Sequence, residues 1–270
     1  MPCTGVNMNM IAGFKLDFPL TLECDDSFNL SFRLVHGDTL EINKGLYYLS
    51  GDNGSGKTSF VNMLALIAGR IGRMPKKGNG KISFKGTVYS DERFSHINAA
   101  EIREKYFCIF PQKAFFLPIS TRDNYLILDG NDRDLAKKFS SEEYPDLLSG
   151  GQQQKILMDI VLNDNKPIWF LDEPLSNMDK ENRDYFWQKI KSALKAKVET
   201  VFFIDHWIEA EIKEDKSFQY VNTVKSSGYR VNSRPWIEDN CGEIEIFRCE
   251  NPDRFVGKQL KNNEPSSVSH

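Results

Sequence analysis

The stretch LYYLSGDNGSGKTSFVNMLALIAG, residues 46–69, joins an apolar run, a glycine-rich turn and an apolar pattern at helical spacing. Its first four residues read as a strand buried on both faces of a parallel sheet. Residues 51–58, GDNGSGKT, match G-x-x-x-x-G-K-[ST] in full, between that strand and a helix. Gly51, Gly54 and Gly56 let the backbone turn tightly, so that its N–H groups converge on phosphate oxygens. Asp52, Asn53 and Ser55 complete the loop. Lys57 is expected to reach the β- and γ-phosphates and the Thr58 hydroxyl to ligate Mg²⁺. Ser59 lies in the first helical turn, whose positive dipole end favours an anion. Phe60, Leu64, Ile67 and Ala68 give the helix its apolar spacing, and Gly69 is the expected stop. This stretch predicts a P-loop α/β fold that binds Mg-ATP.

Further short apolar runs at Phe107–Phe110, Ile168–Leu171 and Val201–Ile204 read as parallel strands. Each is followed by polar residues, where an open α/β sheet places its ligand site. IWFLDE, residues 168–173, ends in adjacent carboxylates. Asp172 suits Mg²⁺, directly or through water, and Glu173 suits the orientation or deprotonation of an attacking water. Residues 78–89, GNGKISFKGTVY, alternate as an antiparallel hairpin edge. The charged stretch from Asp129 to Asp146 reads as weakly helical and off the sheet.

The bulk composition excludes several classes. The chain has 270 residues, 40% hydrophobic and 27% charged, an ordinary globular balance. A net charge of −3 argues against a nucleic-acid-gripping surface, so no nucleic acid is expected as partner. No apolar run approaches the roughly 18 residues of a membrane span, and no secretory signal is evident. The five cysteines form no C-x-x-C pair and read as packed, reduced thiols of a cytosolic protein.

LSGGQQQ, residues 148–154, supplies a second anion site at the start of a helix expected over Lys155–Val161. At this point the chain resembles the ATP-binding cassette (ABC) family: Leu148-Ser149-Gly150-Gly151-Gln152 matches its signature residue for residue. The resemblance covers about Leu20 to Ala210. It implies a RecA-like core, an antiparallel β subdomain from the N-terminal region and the 80–90 hairpin, and a short α-helical subdomain at about 113–160. Together these make an ABC ATPase domain over residues 1–212, followed by a C-terminal extension over 213–270 with a disordered tail.

By the same resemblance, Ser149, Gly150, Gly151 and Gln152 serve the ATP held by a partner cassette. Gln112 is the glutamine that senses Mg²⁺ and water, Asp179 is the D-loop aspartate, and His206 contacts the γ-phosphate. Phe28 is the aromatic assigned to adenine, with Phe32 and Phe14 as alternatives. The implied activity is ATP hydrolysis in a dimer of cassettes, a homodimer by default. It would energise separate transmembrane transporter subunits from the cytoplasmic face of the cell membrane. The alternative is a soluble assembly ATPase of the iron–sulfur type. A chromosome-type ATPase would need coiled-coil arms, and no heptad array is present.

The chain departs from the family pattern in three places. Lys155 and Asp159 stand where arginines are usual, so the local ion pairing there is expected to differ. Asn177-Met178 replaces a small apolar pair in the D-loop. Only 36 positions separate Gln112 from Leu148, which implies an abbreviated helical subdomain and an unusual docking partner.

Overall fold

The computed structural model describes residues 13–23, 28–67, 80–85, 87–88, 96–112, 115–128, 144–176, 178–206, 216–230 and 239–250. The elements run β1 (Phe14–Asp17), β2 (Leu20–Glu23), β3 (Phe28–Leu34), β4 (Thr39–Ile42), β5 (Gly45–Ser50) and α1 (Lys57–Leu64). Next come β6 (Lys81–Phe84), β7 (Thr87–Val88), α2 (His96–Tyr106), β8 (Phe107–Phe110) and α3 (Thr121–Leu128). After a 3₁₀ turn at Pro145–Leu147 follow α4 (Gly150–Asn163), β9 (Ile168–Asp172), α5 (Lys180–Ala196), β10 (Thr200–Ile204), β11 (Phe218–Arg230) and β12 (Asp239–Cys249).

The chain divides into two compact units. The first comprises the described residues of Met1–Lys44, Gly51–Glu101 and Asn222–Ile244. Within it β4, β1, β6 and β7 form an antiparallel sheet in that order, so the hairpin expected near residues 80–90 is present. β3 pairs antiparallel with β2 and with the Val224–Arg230 part of β11. Helix α1 follows the glycine-rich turn and packs Phe60 edge-on against Phe32, with ring centroids 5.4 Å apart. It stops at Leu64, before the expected Gly69, because Leu66 turns into the left-handed region at φ 59°. Gly69 itself lies outside the described residues.

The second unit comprises the described residues of Gly45–Ser50, Ile102–Val221 and Glu245–His270. Its sheet order is β12-β5-β10-β9-β8. β5, β10, β9 and β8 are mutually parallel, as their continuous apolar runs require, while β12 closes antiparallel on β5. Every residue of β9 and β10 is buried. On one face Trp169, Leu171, Val201 and Phe203 meet Leu157, Met158 and Val161 of α4 and Phe186, Trp187 and Ile190 of α5. Another aromatic row crosses the strands, where Phe170 lies between Phe107 and Phe202, and Phe202 stacks on Tyr47. Burying a side chain of this size contributes about 2–3 kcal/mol, so the strand ends stand on a rigid base. Asp159 meets Lys189 at 3.2 Å, so the charge departure on α4 is matched from α5. Burial opposes the lysine charge, but hydrogen bonds to Tyr185 and Asp159 carry its pKa above the ordinary value.

β11 and β12 are longer than the Thr223–Val224 and Glu243–Phe247 segments legible in the sequence, and each contributes residues to both units. Cys108 and Cys249 are buried and take part in no disulfide. Burial pushes the Cys108 pKa well above its ordinary value, with Asp164 adding to the effect. The stretch 129–143 and the terminal residues 251–270 lie outside the described residues. Among the described residues no helix is long and apolar enough to cross a membrane.

Candidate nucleotide site

In the first unit, the turn between β5 and α1 takes its shape from glycine. Gly51, Gly54 and Gly56 have φ of 149°, 81° and 91°, a region that residues with a Cβ enter at a cost. At Gly51 the constraint is also spatial, since a Cβ there would sit 2.3 Å from the Glu243 carbonyl oxygen. Gly56, at φ 91°, caps α1 without a side-chain hydrogen bond, so the helix starts at the loop with its N-terminal end. The Lys57 ammonium is buried along the loop and donates to the carbonyls of Gly51 and Asp52. Behind the loop, the buried Ser226 hydroxyl donates to the Ser55 carbonyl. Gly242 comes so close that a Cβ on it would meet the Ser55 Cβ at 3.1 Å. A helix N-terminus, a lysine within the loop and the neighbouring Thr58 hydroxyl fit a magnesium-bound polyphosphate.

In the second unit, the carboxyl ends of β8, β9 and β10 bring three expected residues together. Gln112 donates to Glu173 Oε1 at 3.0 Å, and His206 Nε2 lies 3.7 Å from the same oxygen. Glu173 side-chain exposure is 22% and that of His206 is 39%, so the cluster is reachable by water. Asp172, buried at the end of β9, is the adjacent carboxylate. Glu173 has φ 52°, the left-handed region, although it is not glycine. Its N–H donates to Ile204 at 2.8 Å, and its carbonyl accepts from Gln154 at 2.8 Å and from the Ser176 hydroxyl at 2.9 Å. The next turn is fixed by Asp205, which accepts from the Leu175 N–H and whose carbonyl accepts from Tyr48.

The expected signature also has a defined form. α4 starts at Gly150, earlier than the expected Lys155, because Ser149 and Gln152 cap it reciprocally. The Ser149 N–H donates to Gln152 Oε1 at 2.8 Å, and the Gln152 N–H donates to the Ser149 hydroxyl at 3.3 Å. Space is open around Gly150, where an added Cβ meets nothing within 4 Å. Asp179 caps α5 and accepts from the Asn182 N–H at 2.9 Å, a bond that holds its carboxyl below the ordinary range.

Phe28 lies in β3, and its side chain is outside the described residues. The alternatives Phe32 and Phe14 are fully buried against Phe60 and Phe84. Both rings are committed to the core and present no face to a base. Several supporting residues escaped the sequence reading. Gln154 stands within the quoted LSGGQQQ segment, whereas Ser226 and Gly242 carry no local signal.

A glycine-built phosphate loop and an acidic cluster at parallel strand ends define a P-loop α/β nucleotide-binding protein. The ABC transporter profile matches residues 35–176. The choline transport ATP-binding protein OpuBA of Bacillus subtilis is 24% identical, over 93% of this chain and 69% of that one. The energy-coupling factor transporter ATP-binding protein EcfA1 of Mesomycoplasma hyopneumoniae is 30% identical over 66% and 68%. Among solved structures, the dimeric cassette MJ0796 bound to ADP and Pi superposes with TM-score 0.53 at 20% identity, covering 72% of this chain and 88% of that one. The Clostridium perfringens cbiO1, part of the ABC transporter complex cbiONQ, gives 0.52 at 17% over 77% and 84%. The chain belongs to the ABC transporter family. It is an ATP-binding ATPase of the kind that energises transport.

Proposed function

We propose that this chain is the energy-coupling subunit of a membrane transporter, working as a dimer of cassettes whose transmembrane subunits are separate chains. The observation that carries the reading is the convergence of Gln112 and His206 on one oxygen of Glu173, at 3.0 and 3.7 Å. A carboxylate so placed can accept a proton from water, while a glutamine amide and an imidazole orient the water and the γ-phosphate. Gly51 to Ser59 hold the phosphates through backbone N–H groups and Lys57. Thr58 in the first unit and, in the second, Asp172 and Gln112 are the residues that would each offer an oxygen to Mg²⁺, which when bound would supply neutralisation of phosphate charge. Adenine falls to Phe28.

Ser149, Gly150, Gly151 and Gln152 lie at an exposed helix start, suited to a γ-phosphate held by the second cassette. That second cassette is a copy of this chain, because both halves of each site are present in one sequence. Asp179 sits beside the same interface. The location that follows is the cytoplasmic face of the membrane. The relatives named above are ATP-binding proteins of transporters, which favours transport over the assembly-machine alternative.

The deciding experiment isolates the tagged chain from its host after mild detergent extraction and measures Mg²⁺-dependent ATP hydrolysis. A stoichiometric multi-spanning membrane protein in the preparation is the expected result. Recovery with cytosolic partners alone would overturn the transporter reading.

A further inference from the structure

The catalytic turn and the signature helix are joined through one buried side chain. Glu173 occupies a left-handed backbone conformation, φ 52°, that is costly for a non-glycine residue, and such a conformation persists only where its surroundings fix it. Here the fixation is explicit. The Glu173 N–H is held by Ile204 at 2.8 Å, and its carbonyl takes donors from Gln154 Nε2 at 2.8 Å, the Ser176 hydroxyl at 2.9 Å and the Ser176 N–H at 3.2 Å. Gln154 also donates to Ser176 Oγ at 3.0 Å, so its amide spans both residues of the turn. Its exposure is only 7%. Buried in that way, an amide that lost these partners would be left without compensation.

Gln154 belongs to the first turns of α4, the helix that begins at Gly150 and is capped by Ser149 and Gln152. A helix is stiff over so short a distance, so a shift of its first turn carries Gln154 with it. We infer that Gln154 is a positioning residue that transmits engagement of the signature end to the carboxylate of Glu173 in the same chain. This rests on the reading given under Proposed function. In the dimer proposed there, the signature end serves one ATP and Glu173 the other. Gln154 then links the two sites through one protein chain, and it acts on Glu173 by holding the peptide whose φ aims the carboxylate at Gln112 and His206.

The test measures steady-state ATP hydrolysis by the intact chain carrying Gln154→Met, which keeps length and apolar bulk and removes both donors. Expected is a fall in kcat of about tenfold with KM for ATP held within about twofold, the split for an interaction used in turnover and not in binding. Ser149→Ala is then added. If Gln154 transmits signature engagement, the double variant loses less than the product of the two single losses. Equal kcat in Gln154→Met and the parent, or losses that multiply, would overturn the inference.

Should Gln154→Met not fold, Ser176→Ala carries the test, because it removes one of the two acceptors of Gln154 and one donor to the Glu173 carbonyl. The same kcat-selective loss is expected there, and an unchanged kcat overturns the inference. A parent chain without Mg²⁺-dependent hydrolysis would defeat the functional reading itself. Normal parent turnover with a normal Gln154→Met defeats the relay alone.

Discussion

The phosphate loop and the turn at Glu173 solve one geometric problem in opposite ways. Each follows a parallel strand and bends the chain through positive φ, at 149°, 81° and 91° in the loop and at 52° in the turn. The loop achieves this with glycine, which meets no Cβ penalty, so its ligand groups are mostly backbone N–H groups. The turn must present a carboxylate, so it cannot use glycine. Ile204, Gln154 and Ser176 hold it in place from outside. Binding thus rests on backbone shape, and catalysis on a side chain held by other side chains.

The comparison predicts different failures for the two regions. The largest effect belongs to the turn: Glu173→Gln should cut turnover about a thousandfold or more while nucleotide binding stays near normal, measured as single-turnover hydrolysis beside nucleotide affinity. Turnover within tenfold of the parent would remove Glu173 from the chemistry. Next, Gly51→Ala should cost about 2–4 kcal/mol of stability, because the new methyl meets the Glu243 carbonyl in a backbone region it disfavours. Thermal or urea unfolding measures this, and a cost below 1 kcal/mol would show that the loop is softer than its geometry.

Lys57→Ala should weaken nucleotide affinity by about 10- to 100-fold, as loss of a charge-assisted phosphate contact does. Equilibrium titration reads the affinity directly. The smallest effect makes the comparison sharpest. Glu173→Gly gives the turn the residue used by the loop, so it should raise stability by up to about 1 kcal/mol while abolishing turnover. A variant less stable than the parent would mean that the turn is not strained in the way its φ suggests.

How much of this was legible depends on where each constraint lies along the chain. The loop could be read at once because its glycines, Lys57 and Thr58 are consecutive and local geometry dictates their identities. The strands β5, β8, β9 and β10 announced themselves as apolar runs because they are buried on both faces. Glu173 was found through its position just after such a run, Gln112 and His206 through the family resemblance, and the structure brings the three together. The start of α4 was misplaced because residues 150 and 151 are glycines, which are poor helix formers; the Ser149–Gln152 cap overrides them. Phe14 and Phe32 could not be told from base-stacking aromatics, since a phenylalanine in a strand reads alike in either role. Ser226 and Gly242 were invisible, because nothing near them in the chain hints that they lie under a loop so far upstream.

That last feature bears on the order in which the protein is made. Ser226 lies 171 positions after the Ser55 carbonyl that it holds. On the ribosome, the phosphate loop emerges long before the residues that lie behind it. Until β11 and the first part of β12 have been synthesised, Gly51 has no Glu243 carbonyl beside it and Ser55 has no hydroxyl donor. The nascent loop can form its turn early, but the contacts behind it are completed only after residues 226–243 have been synthesised.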